Sequence, residues 1–229
     1  MLFGNKIKPT VGYYLRDEYI PMSMLNDVEK YQVNTVGCPS VSYMSNKIYT
    51  LKSWVTAEIK FGINNLGKEY YEYNYDTTQF AIDSEVHRVM KDALSISKDK
   101  NGNAVLQVLY PIYYVTDDKD VEISTIPEST VGLDNCKYLL GSFNIYGWIR
   151  DINVSFIQLD NTKLATIYLN FNKPVMNIVF NKAVNLKKIE PNKKILQYKK
   201  NMYEITKYFK KIDKHYLRLL ARRPKKLLW

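Results

Sequence analysis

The amino-acid sequence predicts an all-β protein: an antiparallel β-sandwich, jelly-roll-like, with short N-terminal helices and a long basic amphipathic helix at its C-terminus. Three observations predict this class. Between positions 41 and 180 the chain is a succession of short apolar runs rich in Tyr, Val, Ile and Thr, which suit a pleated, half-buried surface. Short polar turns separate the later runs without room for a crossover helix. The last 43 residues follow a helical spacing instead.

The first predicted elements are a short helix over residues 23–31 and a tight turn at Ser45-Asn46, which separates the run SYM from the run KIYTL. A β-hairpin follows. In the run WVTAEIKF, Val55, Ala57, Ile59 and Phe61 share one face and the polar residues share the other, a period of two. The turn Asn64-Asn65-Leu66-Gly67 then reverses the chain into a tyrosine-rich strand over residues 69–75.

A second short helix is predicted next, capped by Asp83 or Ser84, because Val86, Met90, Ala93 and Leu94 follow helical spacing. The remaining apolar runs predict strands separated by polar turns. These strands cover residues 104–115, 121–126, 139–148, 153–159, 164–171 and 175–180.

The C-terminal segment predicts one continuous helix. Its apolar residues recur at alternating spacings of three and four, so they form one stripe. Asn192 is the predicted N-cap and Pro224 the predicted stop, which gives a helix about 45 Å long at about 1.5 Å per residue. We predict that this stripe docks the helix to a protein surface; its residues are Ile195, Tyr198, Met202, Ile205, Phe209, Ile212, Tyr216 and Leu219.

Charge divides the chain at the same place. Residues 187–229 hold 15 Lys or Arg against three Asp or Glu, a balance of +12, whereas the whole chain carries +10. We therefore predict a β-sandwich domain over residues 1–186 and a basic helical tail over residues 187–229. The cations predicted to contact a polyanion are Lys199, Lys200, Lys207, Lys210, Lys211, Lys214, Arg218, Arg222, Arg223, Lys225 and Lys226.

Three predicted roles of the tail do not exclude one another. Packing or oligomerisation through the apolar stripe is favoured, followed by polyanion contact through the lysine flank and by docking to a membrane surface. Tyr203 and Tyr208 lie off the stripe and are free to stack on bases.

The sequence predicts no catalytic, cofactor-binding or metal-binding residue. Its two histidines, His87 and His215, each lie on a predicted helix beside a cation, which is typical of a solvated face. The acidic cluster Asp117, Asp118, Asp120 and Glu122 misses the EF-hand spacing, so a solvated turn is favoured over calcium. The hairpin would also allow a carboxylate pair such as Glu58 and Glu72 to meet as an acid and a base without any local motif.

Cysteine usage and hydropathy predict in which compartment the protein lies. Cys38 and Cys136 are too far apart in sequence for a metal or redox motif, which is typical of a reducing compartment. A single disulfide between them is the less favoured alternative. The N-terminus lacks an apolar run long enough for a secretory signal, and no run is long enough to cross a membrane. We expect a protein of a virion or a host cytoplasm that is not secreted.

The viral part of that expectation comes from a resemblance. The segment Cys38-Pro39-Ser40-Val41 is followed in order by IYTLKSWVTAEIKF, YPIYYVTDD, GSFNIYGWIRDINVSF and IYLNFNKPVMNIVF. This order resembles an uncharacterised family of proteins encoded by tailed phages, over about residues 30–185. The resemblance brings no activity, cofactor or site residue. It implies a virion component or an accessory product of infection.

We therefore expect a non-enzymatic structural or assembly module that docks to neighbouring subunits through its C-terminal helix. The first alternative is an accessory protein that binds nucleic acid, or an acidic protein surface, with the cationic tail. The second alternative is a small enzyme with a carboxylate site that has no local signature.

Overall fold

The computed structural model describes residues 8–15, 48–53, 55–76, 93–110, 112–146, 152–171, 173–206 and 226–228. The predicted all-β class is confirmed, because these ranges contain fifteen strands and the helix α1, Lys193–Thr206. The strands are β1 Thr10–Leu15, β2 Ile48–Lys52, β3 Ala57–Ile63, β4 Glu69–Tyr75, β5 Leu94–Lys98, β6 Ala104–Tyr110, β7 Ile112–Thr116, β8 Glu122–Pro127, β9 Gly132–Asp134, β10 Cys136–Leu139, β11 Ser142–Asn144, β12 Ile152–Gln158, β13 Ala165–Leu169, β14 Pro174–Phe180 and β15 Asn185–Lys188.

The strands pair into four sheets. Three sheets have four strands each, in the orders β10-β12-β6-β5, β11-β8-β14-β2 and β4-β3-β13-β9. The fourth has the order β15-β1-β7. Every pairing among the described strands is antiparallel except β1 with β15, which is parallel. Short polar turns joining successive strands permit this arrangement, as the sequence predicts.

The predicted hairpin is confirmed as β3 and β4. Ala57, Ile59 and Phe61 are buried, while Glu58 and Lys60 on the opposite face are partly exposed. In the turn, the Asn64 side chain accepts hydrogen bonds from the backbone N–H groups of Leu66 and Lys68, each at 3.0 Å. Gly67 adopts a φ of 69°, a left-handed conformation that glycine reaches without a steric penalty.

One apolar core joins the three four-stranded sheets. Its largest fully buried side chains include Tyr110, Phe61, Phe156 and Phe180. The rings of Tyr138 and Phe156 lie 4.8 Å apart between centroids, a distance within the range of favourable aromatic pairs. Two of these sheets, β4-β3-β13-β9 and β10-β12-β6-β5, also contact each other through β3 with β6, β4 with β5 and β10 with β13. Alternating burial along β3 and β12 shows that strand periodicity aims the apolar residues into this core.

Two predicted strands are divided in the structure. The strand predicted over residues 104–115 is instead β6 and β7, which belong to different sheets. Pro111 separates them, and proline has no N–H to donate to a ladder. Likewise, the strand predicted over residues 139–148 is wrong in its bounds: β10 ends at Leu139, and β11 begins at Ser142 and pairs with β8 instead of β12.

Other differences concern helices and unpredicted strands. Leu94, assigned from its spacing to the second N-terminal helix, opens β5 and pairs with Val108 of β6, because the cross-strand partner outweighs weak helical spacing. The rest of that helix up to residue 92, the helix predicted over residues 23–31 and the turn at Ser45-Asn46 lie outside the described residues. The sequence does not predict β1, β9, β15 or, apart from Leu139, β10.

The predicted 45 Å C-terminal helix is not supported. The described helix α1 has 14 residues, and the carbonyl oxygen of Leu227 lies 3.1 Å from Nδ2 of Asn192, directly before the helix. In one straight helix from Asn192 to Arg223 these two ends would be about 45 Å apart. The predicted domain boundary at residue 186 lies inside β15, whose pairing with β1 ties the tail to the body; the division into two domains stays a prediction.

Candidate functional site

The most distinctive contact of the molecule joins its C-terminal segment to the body. Asp117 follows β7, and its two carboxylate oxygens accept hydrogen bonds from the backbone N–H of Leu227, at 2.7 Å, and of Leu228, at 3.0 Å. The Asn192 amide donates to the Leu227 carbonyl, and the Lys194 ammonium donates to the Lys226 carbonyl. We call this set of contacts, made by Asp117, Asn192 and Lys194 to residues 226–228, the C-terminal clasp.

An apolar pocket lies beneath the clasp. Leu227 is 2 % exposed and Leu228 is 8 % exposed, so both leucines of this short segment are buried. They form a cluster separate from the main core, which we call the clasp pocket: Tyr113, Val115, Ile195, Tyr198, Leu227 and Leu228, with Ile189 packed against it. Burying two leucine side chains supplies about 1.5–3 kcal/mol each, which is comparable with the hydrogen bonds that the charged Asp117 and Lys194 make.

Gly12 of β1 makes room for the pocket. A Cβ atom at this position would lie 2.6 Å from Cδ1 of Ile189 and 2.8 Å from Cδ2 of Leu228, closer than carbon atoms approach. The glycine therefore allows both side chains to reach the surface of β1. Because β1 also pairs with β15 and β7, one small residue sets how closely the C-terminal segment approaches the sheet.

Asn192 has two roles in the clasp. Its side-chain Oδ1 accepts a hydrogen bond from the backbone N–H of Ile195 at 2.9 Å, the N-cap contact that the sequence predicts. Its Nδ2 donates to the Leu227 carbonyl at 3.1 Å. One amide group therefore both begins α1 and holds the C-terminal segment beside it.

The clasp joins two of three lysine-containing segments that surround the beginning of α1 in sequence or by contact. Lys187 and Lys188 end β15, Lys193 and Lys194 begin α1, and Lys226 is bonded to Lys194 through its carbonyl. The first turn of α1 contains no acidic residue. We call the exposed lysines of this region the basic surface: Lys187, Lys188, Lys193, Lys194, Lys200 and Lys226.

Two residues of the predicted docking stripe pack against other parts of the same chain. Ile195 and Tyr198 are buried in the clasp pocket at 1 % and 9 % exposure, and the intervening Leu196 is 48 % exposed. Met202 and Ile205 belong to α1, but their side chains are not described. The other stripe residues, Phe209, Ile212, Tyr216 and Leu219, lie outside the described residues.

The predicted polyanion contacts are placed only in part. Lys200 and Lys226 are exposed, and Lys199 belongs to α1 without a described side chain. The remaining cations lie outside the described residues: Lys207, Lys210, Lys211, Lys214, Arg218, Arg222, Arg223 and Lys225. The polyanion contacts predicted from the sequence do not include Lys187, Lys188, Lys193 and Lys194. The positive balance of the tail already included them, so charge was the signal that could have found them.

The carboxylates considered for catalysis lie on the exposed face of the β3–β4 hairpin. Lys60 is directly opposite Glu72 in the register, and its ammonium is 3.2 Å from a carboxylate oxygen of Glu58. The hydrogen bond from Lys60 to Glu58 raises the pKa of the lysine, with a smaller contribution from Glu72. The structure therefore places a cation between the two carboxylates instead of joining them as an acid and base pair.

The acidic cluster after β7 is divided between two uses. Asp117 holds the clasp, and Asp118 forms an ion pair with Lys182 at 3.1 Å. No group of three His, Cys, Asp or Glu able to hold a metal ion occurs in the described part of the chain.

Cys136 is a buried free thiol, and burial raises its pKa to about 11. Cys38, His87 and His215 lie outside the described residues.

Comparison with known proteins adds no relative. No protein-family model matches the sequence, no curated protein is significantly similar to it, and no solved structure significantly matches its fold. None of the described helical residues belongs to a helix long and apolar enough to span a bilayer.

Proposed function

We propose that this protein is a non-enzymatic, phage-encoded binding module that contacts nucleic acid through its basic surface. The single observation that carries the proposal is the clasp, which fixes Lys226 beside Lys194 at the beginning of α1. Two lysines 32 positions apart in the sequence are thereby held next to each other. The virion and the host cytoplasm are the compartments that such a role implies.

The charge of this region supports a polyanion as the ligand. Lys187, Lys188, Lys193, Lys200 and Lys226 are all exposed, and Asp117 is engaged by backbone N–H groups. Lysine binds phosphate as a point charge and does not need a shaped pocket. Each phosphate that a lysine neutralises releases condensed counterions, which makes the affinity strongly dependent on salt.

A non-catalytic role is supported by the arrangement on the hairpin. Glu58 and Glu72 lie on an exposed sheet face with Lys60 between them, and Lys60 is ion-paired with Glu58. General acid catalysis needs one carboxyl group to stay protonated, usually by burial. This pair lacks that environment.

For the β domain we propose a two-layered sandwich of the jelly-roll type. Its support is the contact between the sheet β4-β3-β13-β9 and the sheet β10-β12-β6-β5 at three strand pairs, and the apolar core that both sheets share. In this arrangement the sandwich is the scaffold on which β1 and β15 position the basic surface.

A second candidate is a structural or assembly module that docks to neighbouring subunits through the rest of the helical stripe. It is favoured by the burial of Ile195 and Tyr198, which shows that the beginning of the stripe is a packing face. In this case an acidic protein surface replaces the nucleic acid as the neighbour of the lysines.

Nucleic-acid binding is tested by a salt titration with matched variants. The first variant replaces Lys187, Lys188, Lys193 and Lys200 by Gln, and the control replaces the exposed body lysines Lys68, Lys100, Lys137 and Lys163 by Gln. Affinity for a duplex DNA probe is measured from 50 mM to 200 mM salt. Because each phosphate contact contributes about 0.9 to the slope of log affinity against log salt, we expect the first variant to lose about 2–3 from the slope.

The control variant should keep the slope of the unmodified protein, since its lysines are placed elsewhere on the body. Equal losses in both variants would mean non-specific attraction by net charge, which contradicts a defined surface. A slope near zero for the unmodified protein would eliminate nucleic acid and leave the subunit-docking candidate.

A further inference from the structure

A threonine, an asparagine and a glutamate meet in the sheet β11-β8-β14-β2. Thr50 of β2 lies directly opposite Asn177 of β14 in the register, although the two residues are 127 positions apart in the sequence. The Thr50 hydroxyl donates a hydrogen bond of 2.7 Å to Oδ1 of Asn177. Glu128, directly after β8, accepts a hydrogen bond from Nδ2 of the same amide. The Asn177 amide is therefore held between a hydroxyl group and a carboxylate.

Two other buried hydroxyl groups are bound differently. Ser53 donates to the carbonyl of Val55 at 2.6 Å, and Thr116 donates to the carbonyl of Thr10 at 3.1 Å. In both pairs the acceptor is a backbone amide, whose nitrogen is part of the chain. The nitrogen of the Asn177 side chain is a terminal NH₂ group instead, so it can leave as ammonia.

The carboxylate of Glu128 determines which way the Asn177 amide points. A carboxylate accepts hydrogen bonds and does not donate them, so it selects the NH₂ group. The carbonyl oxygen then faces the Thr50 hydroxyl, which is a donor. Because Oδ1 is bonded to Cγ, the hydroxyl oxygen lies within reach of the amide carbon. A nucleophile held beside its electrophile in this way has the main advantage of an intramolecular reaction.

We propose that Thr50 and Asn177 form an ester cross-link, with Glu128 as the acid and base catalyst. Oγ1 of Thr50 attacks Cγ of Asn177, so the Cγ–Oγ1 bond forms and the Cγ–Nδ2 bond breaks. The hydroxyl proton passes first to Oδ1, to which it is already hydrogen-bonded, and then through the Glu128 carboxyl group to Nδ2. The nitrogen leaves as ammonia. One alcohol and one amide thereby give one ester and one ammonia molecule, and no other reactant is consumed.

Burial protects both the reaction and its product from water. Thr50 is 2 % exposed and Asn177 is 9 % exposed, so water has little access to Cγ, either to compete with the hydroxyl or to hydrolyse the ester. Ammonia becomes ammonium in neutral water and is diluted, which suppresses the reverse reaction. The product joins β2 to β14 and closes a long loop of the chain, so it restricts the unfolded state as a disulfide would.

The cross-link belongs to the β body and does not depend on the basic surface. A cross-linked protein without affinity for DNA would leave this proposal standing. DNA binding by a protein without the cross-link would overturn this proposal and leave the proposed function standing.

The test is the intact mass of the full-length protein after incubation at neutral pH. We expect a loss equal to the mass of one ammonia molecule. Trypsin digestion after denaturation should then give the peptides 48–52 and 164–182 as one joined species, which mild alkali separates by hydrolysing the ester. Ring closure at Asn101-Gly102 also releases ammonia, but it joins no second peptide. An unaltered intact mass after prolonged incubation of the folded protein would overturn the proposal.

Three variants test the nucleophile. Thr50→Val removes the hydroxyl at nearly constant volume and should abolish the loss of ammonia, whereas Thr50→Ser keeps a hydroxyl and should restore it. The matched control Thr166→Val removes another buried hydroxyl, at a residue that is 6 % exposed, and should cross-link as the unmodified protein does. Loss of ammonia and joined peptides in the Thr50→Val protein would overturn the proposal, because another residue would then be the nucleophile.

A fourth variant tests the catalyst without removing its hydrogen bond. In Glu128→Gln the side-chain oxygen still accepts from Nδ2 of Asn177, so the fold is preserved, but the group cannot transfer a proton. General acid and base catalysis contributes about 10²-fold or more, so we expect the rate of ammonia loss to fall by about that factor. Equal rates in the glutamate and glutamine proteins would overturn the catalytic role of Glu128. Thermal unfolding shows that each variant is folded.

Discussion

The β3–β4 hairpin and the beginning of α1 form in opposite ways. In the hairpin every local signal agrees: apolar residues alternate, Asn64 orders the turn, and Gly67 takes the left-handed conformation. In α1 a local signal opposes the structure, because Lys193 and Lys194 occupy the first turn, where the helix dipole disfavours cations. The Asn192 cap begins the helix, but distant partners hold it against β7, so its position depends on the clasp pocket.

A substitution in the β core should have the largest effect on the free energy of unfolding. Phe156 is fully buried, and its ring lies 4.8 Å from the ring of Tyr138. We expect Phe156→Ala to lower the free energy of unfolding by about 3–5 kcal/mol, from lost burial and the cavity left behind. Denaturant unfolding followed by circular dichroism measures the change. If the clasp stayed protected from hydrogen exchange while the β core melted, the body would not be what supports it.

Neighbouring residues of α1 give the second test. Ile195 is 1 % exposed and Leu196 is 48 % exposed. Ile195→Asp puts a charge into the clasp pocket, and we expect it to cost about 3 kcal/mol or to release the segment. Leu196→Asp should change stability by less than about 0.5 kcal/mol. Amide exchange of Leu227 and Leu228 distinguishes the two, and similar protection in both variants would contradict the pocket.

The buried thiol of Cys136 gives a pH-dependent test of the body. Burial raises its pKa from 9.0 to about 11, so the folded state resists deprotonation. Its contribution is fully present below pH 9 and is lost as the pH rises through about 11. Against a Cys136→Ala variant, we expect the unmodified protein to lose about 2 kcal/mol more stability over this range. A parallel decline in both proteins would show that the thiol is not protected.

Asn192 tests the two contacts of a single amide. Asn192→Ala removes both the N-cap and the bond to Leu227, and we expect a loss of about 1–2 kcal/mol. Asn192→Ser keeps a capping oxygen but has no amide donor for the Leu227 carbonyl. Its loss should be smaller, and amide exchange should increase at the C-terminal segment before it increases in α1. Equal effects of serine and alanine would mean that the cap contributes nothing.

The smallest expected effect has the opposite sign. Lys193→Glu replaces a cation by an anion in the first turn of α1, and we expect it to stabilise the protein by about 0.5 kcal/mol. The same change should weaken DNA binding, because it removes a lysine of the basic surface. Thermal unfolding and a salt titration measure these effects. A loss of stability would indicate that Lys193 has a structural role that its exposure does not show.

Sequence reasoning predicted the features that depend on neighbours along the chain. These are the all-β class, the β3–β4 hairpin and the Asn192 cap, each of which follows from alternation, turn chemistry or capping within a few residues. The parallel pairing of β1 with β15 and the hydrogen bond that the Leu227 N–H donates to Asp117 join residues more than 100 positions apart. Such partners leave no periodic signal in one sequence.

The candidate site shows the same division. The basic character of the tail was visible in its composition, and two of its predicted lysines are exposed in the structure. The partner of Ile195 and Tyr198 was not visible, because an apolar stripe has the same pattern whether it packs on another subunit or on its own β7.

The central position of β1 also has a consequence for how the chain folds. β1 pairs with residues 112–116 on one side and with residues 185–188 on the other, so its partners are made long after it during synthesis. Contacts between such distant positions form slowly, and until they form the edge of β7 that β1 later covers is open and can recruit another chain. The step in which the first strand joins the sheet is therefore where we expect misfolding to compete with folding, and a chaperone that shields this edge should raise the yield of native protein.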